Sequence, residues 1–116
     1  MRPIVVAAVL ALAAAAGAHA FLDHAEPRVG STVAPGPRTV TLVFTEPIEL
    51  AFCRIDVEDA GGVKLPLPAP EHPAPEKLAV ALPALSPGEY TVHWAVMSVD
   101  THPTEGSFRF SVKPRR

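Results

Sequence analysis

A chain of 116 residues with a formal net charge of −2 has room for one small domain with a single core. The slight excess of acid excludes nucleic acid and anionic membrane as main partners. A lone cysteine, Cys53, excludes an internal disulfide, and fourteen prolines disfavour long helices in favour of short strands and stiff turns.

The first residues read as a secretory leader. Arg2 is its positive start, residues 4–16 are an apolar run of Val, Leu and Ala, and small residues follow at Ala16, Gly17 and Ala18. The run is short for a membrane span, which needs about 20 residues. Two cuts satisfy the small-residue rule: one before His19 and one before Phe21. The expected organisation is a signal peptide over residues 1–18 and one domain over residues 19–116. Without the leader's Arg2, nine basic residues face twelve acidic ones, a net charge of −3.

Beyond the leader the pattern alternates with period two. Residues 38–45 (RTVTLVFT) put Val40, Leu42 and Phe44 on one face. Residues 53–58 (CRIDVE) do the same with Cys53, Ile55 and Val57. Residues 77–82 (KLAVAL) form a third run. Residues 89–99 (EYTVHWAVMSV) form the longest, with Tyr90, Val92, Trp94 and Val96 on one face. Residues 107–112 (SFRFSV) close the chain with Phe108, Phe110 and Val112. Pro35-Gly36-Pro37, Ala60-Gly61-Gly62 and Ser86-Pro87-Gly88 are turns. Residues 66–76 (PLPAPEHPAPE) hold five prolines and read as an extended surface loop. The expected fold is all-β: an immunoglobulin-like sandwich or Greek-key β-barrel of about seven short antiparallel strands. Trp94 anchors its core, and burying it contributes on the order of 2–3 kcal/mol.

Nothing in the chain resembles a nucleophile elbow or a phosphate-binding glycine loop, and Cys53 lies on the apolar face of its strand, where it reads as a small buried hydrophobe. Five histidines remain: His19, His24, His72, His93 and His102. In residues 98–103 (SVDTHP), Asp100 and His102 stand two apart, and in extended backbone both would point to one side. Two ligands rarely make a metal site, and a polar turn explains the pair as well. A cut before His19 adds an α-amine and an imidazole. The set then holds three nitrogens and one oxygen, which suits Cu(II), though Zn(II) accepts the same atoms. A cut before Phe21 leaves Asp23, His24, Asp100 and His102 as the weaker alternative. His72 reads as solvated and His93 as a surface residue.

Three blocks carry a family resemblance: HAFLDHAEPRVGS at residues 19–31, LVFTEPIE at 42–49 and YTVHWAVMSVDTHPTEGSFRFSV at 90–112. The third holds Tyr-x-Val-x-Trp, Ser-x-Asp-x-His-Pro and Gly-Ser-Phe-x-Phe in order. On these the chain resembles the copper-resistance protein C (CopC) family over nearly its whole length after the leader. The resemblance implies a periplasmic, non-enzymatic domain with one Cu(II) site. Its ligands would be His19, through amine and imidazole, with Asp100 and His102. Glu46 matches a family glutamate near that site, where it would orient a ligand or accept a hydrogen bond; a solvent carboxylate at a strand end fits it equally. The resemblance also implies a CopD-type inner-membrane copper transporter as partner, and the domain is expected to be a monomer. The methionine-rich Cu(I) site of some members is not expected, because Met97 is the only methionine besides Met1. The competing reading is a non-catalytic immunoglobulin-like interaction module with an incidental Asp-x-His turn.

Overall fold

A computed structural model describes residues 19–115; the leader expected over residues 1–18 lies outside them. Eight strands follow in order: β1 (Leu22–Glu26), β2 (Thr32–Val33), β3 (Thr39–Phe44), β4 (Arg54–Glu58), β5 (Glu71–Ala74), β6 (Lys77–Ala81), β7 (Gly88–Met97) and β8 (Pro103–Val112). They form two four-stranded sheets, ordered β1-β3-β6-β5 and β2-β8-β7-β4. The architecture is therefore an open sandwich, and of the two expected forms the closed barrel is not the one adopted. One pairing departs from the antiparallel expectation, since β2 runs parallel to β8. No helix among the described residues is long and apolar enough to cross a membrane.

Alternation explains the packing. Val40, Leu42 and Phe44 of β3 face Tyr90, Val92, Trp94 and Val96 of β7, and Phe108, Phe110 and Val112 of β8, across one core. The rings meet edge-on where Phe44 and Trp94 stand 5.2 Å apart, and Tyr90 stacks on Phe110 at 5.7 Å. Cys53 is buried as expected; its thiol donates to the Glu49 carbonyl at 3.2 Å, and burial pushes its pKa up. That keeps it a poor nucleophile and a poor ligand.

Part of the proline-rich loop is a strand. β5, Glu71–Ala74, contains Pro73 and pairs irregularly with β6. It lies at the edge of its sheet, where a proline leaves no ladder bond unmade inside the sheet. The last strand also begins earlier than alternation suggested, at Pro103 rather than Ser107. β7 and β8 pair along their full length, from Gly88 opposite Val112 to Met97 opposite Pro103. The five residues 98–102 are the turn of that long hairpin, and they hold Asp100 and His102.

Candidate metal centre

The hairpin turn is held tightly. The Ser98 amide donates to the His102 carbonyl at 3.1 Å, and the Thr101 amide donates to the Ser98 carbonyl at 2.8 Å. The Ser98 hydroxyl accepts the His102 amide at 3.2 Å. Ser98 is 1 % exposed, so its end of each of these bonds is shielded from water. Thr101 has φ +68°, left-handed backbone that a β-branched residue rarely adopts. The Asp100–His102 stretch is thus a closed turn. The backbone between them is not the extended one expected to align both side chains, because the intervening Thr101 is left-handed within the hairpin turn.

The N-terminal arm approaches this turn from the other sheet. Ala20 is fully buried in the core. Its carbonyl accepts the Thr104 hydroxyl of β8 at 2.6 Å. Phe21 exchanges two bonds with Thr45 at the end of β3: its amide donates to the Thr45 hydroxyl at 2.9 Å, and its carbonyl accepts the Thr45 amide at 2.8 Å. The result is that His19 and His102, 83 positions apart in the chain, bring their rings to 4.8 Å between centroids. Metal–imidazole bonds are about 2.0 Å long, and rings at this separation can bring one nitrogen each to a single ion.

The structure joins the two histidines and not the whole expected set. Among the described residues no three His, Cys, Asp or Glu side chains gather into a metal-holding group. Asp100 is an exposed side chain on the turn, and Glu46 is half-buried next to Thr45. The other histidines are engaged elsewhere. His24 lies 2.7 Å from Asp23, His72 bonds the Pro75 carbonyl at 3.1 Å, and His93 stands 3.4 Å from Glu58. Acidic residues outnumber basic ones in the segments around this turn, although Arg54 follows residue 53 directly and lines a pocket with Glu105. Residues 19–24, 45–53 and 97–105 carry Asp23, Glu46, Glu49, Asp100 and Glu105 and no lysine or arginine. What sequence reasoning missed is the pair of threonines, Thr45 and Thr104, that fix the arm; hydroxyls at strand ends carry no signal until the strands are placed.

The model of the CopC domain family matches residues 22–113. The chain belongs to the CopC family. Protein YobA of Escherichia coli K12 is 39 % identical over 99 residues, which cover 83 % of this CopC chain and 80 % of that protein. Copper resistance protein C of Xanthomonas campestris pv. juglandis is 37 % identical over 118 residues, covering 95 % of this chain and 91 % of the relative. The crystal structure of CopC from Methylosinus trichosporium OB3b superposes with a TM-score of 0.80 at 33 % identity, over 84 % of this chain and 97 % of that one. The CopC sandwich of that structure is the fold described above.

Proposed function

We propose that this CopC domain binds one Cu(II) ion in the periplasm, as a carrier or sequestering protein rather than an enzyme. The observation that carries the reading is the approach of the His19 and His102 rings to 4.8 Å at one end of the sandwich. Cleavage before His19 turns its backbone nitrogen into an amine. Amine and imidazole then close a chelate ring on the ion, the His102 imidazole adds a third nitrogen, and Asp100 supplies an oxygen. Glu46 stands by to orient a ligand. This donor set suits tetragonal Cu(II), and a single Met97 cannot make a thioether site for Cu(I). Copper is the metal because the chain is a CopC domain and a matched relative carries the name of a copper resistance protein.

The position of the cut is supported by packing. Ala20 is 0 % exposed and belongs to the core, and its carbonyl is bonded to Thr104. A chain cut before Phe21 would lose a buried residue together with the bond between its carbonyl and Thr104. A chain cut before His19 keeps every described residue. The protein acts as a monomer that passes its ion to a CopD-type inner-membrane transporter.

The test is a Cu(II) titration of the chain starting at His19, followed by visible absorption and competition with a chelator. His102→Ala is expected to weaken binding at least about tenfold, since one of three nitrogens is lost. His72→Ala should leave binding unchanged. Binding should also weaken from about pH 8 to about pH 5, because protons compete for the amine and the imidazoles. Equal damage from the two variants, or a flat pH profile, would sink the reading.

A further inference from the structure

We infer that Thr104 is the positioning residue that sets the distance between the two histidines, an inference that rests on the copper site proposed above. His19 belongs to an arm that enters the first sheet, and His102 to the hairpin turn of the second. Nothing in either sheet's ladder fixes one against the other. Among the described residues, the arm's polar ties number four, and three of them go to Thr45 of the first sheet: two from Phe21 and a long one, 3.5 Å, from the Thr45 hydroxyl to the His19 carbonyl. The fourth, from the Thr104 hydroxyl to the Ala20 carbonyl at 2.6 Å, is the one that reaches the second sheet, and it joins residues 84 apart in sequence. Each end of this strut lies next to a histidine. Ala20 follows His19 directly, and Thr104 is two residues beyond His102. Ala20 is buried and Thr104 half-buried, so water competes poorly for the bond.

The consequence is preorganisation. A loosely held N-terminal residue must be immobilised when it joins a metal ion, and the lost freedom subtracts from affinity. With the strut in place, the arm is already ordered and the imidazoles already meet. In this role Thr104 is not a ligand; its hydroxyl acts through the arm.

The experiment uses the full processed chain starting at His19, with Thr104→Val, which keeps the shape and removes the hydroxyl, and Thr104→Ser, which keeps the hydroxyl. Cu(II) affinity is measured by chelator competition, each variant alone and combined with His19→Ala. Thr104→Val should weaken binding roughly three- to tenfold, the worth of one net hydrogen bond, and Thr104→Ser should restore most of it. In the His19→Ala background Thr104→Val should add nothing, because the strut's only route to the metal is through His19. Equal weakening in both backgrounds, or none in either, overturns the inference. A metal-free readout separates it from the copper reading. In the apo protein, nuclear Overhauser contacts between the His19 and His102 rings should disappear in Thr104→Val and persist in Thr104→Ser. If the wild-type chain binds no copper, the copper reading fails and these contacts still decide the strut. If they survive in Thr104→Val, the strut fails whatever copper does.

Discussion

Ser98 shows how much one buried hydroxyl decides. It lies at 1 % exposure where β7 ends, and its backbone and side chain together accept or donate every bond that closes the turn carrying Asp100 and His102. Ser98→Ala would leave the His102 amide without its acceptor. The expected cost is about 1–3 kcal/mol of stability, read as a lower urea midpoint at unchanged m-value, together with weaker Cu(II) binding. An unchanged midpoint would mean that the hydroxyl does not close the turn. The identities of His19, Asp100 and His102 were legible as candidates because they stand in spaced motifs. The left-handed Thr101 was not, since a threonine gives no hint of positive φ. Nor was the burial of Ala20, which in the sequence is simply one more alanine at the end of an apolar leader.

The long β7–β8 hairpin is the element that carries the site, and its packing has a narrow tolerance. Trp94 lies opposite Gly106, and a Cβ at Gly106 would stand 2.6 Å from Trp94 Cζ2. Gly106→Ala should therefore destabilise the domain by about 1–3 kcal/mol through overpacking, and Trp94→Phe in the same chain should recover part of that loss. Thermal unfolding of the two single variants and the double variant measures the coupling; strictly additive effects would count against this contact. The strands with strict alternation, β3, β4 and β7, were legible because each buries one face. β1 and β2 were not: β1 buries only Ala25 and is held by pairing with β3, and β2 is two residues laid parallel to the end of β8. β5 was read as loop because prolines mask an edge strand.

At the scale of the molecule, the sandwich serves to bring two distant parts of the chain to one end. The first sheet delivers His19 through an arm pinned by Ala20, and the second delivers His102 on a hairpin turn. The central claim is that export converts His19 into the first residue and thereby completes a site for one Cu(II). The direct test is the intact mass of the exported protein under native conditions, before and after one equivalent of Cu(II). The account predicts a chain that begins at His19 and gains the mass of one copper ion, retained by the folded species. A chain that begins at Phe21, or one that begins at His19 and remains metal-free, would contradict it.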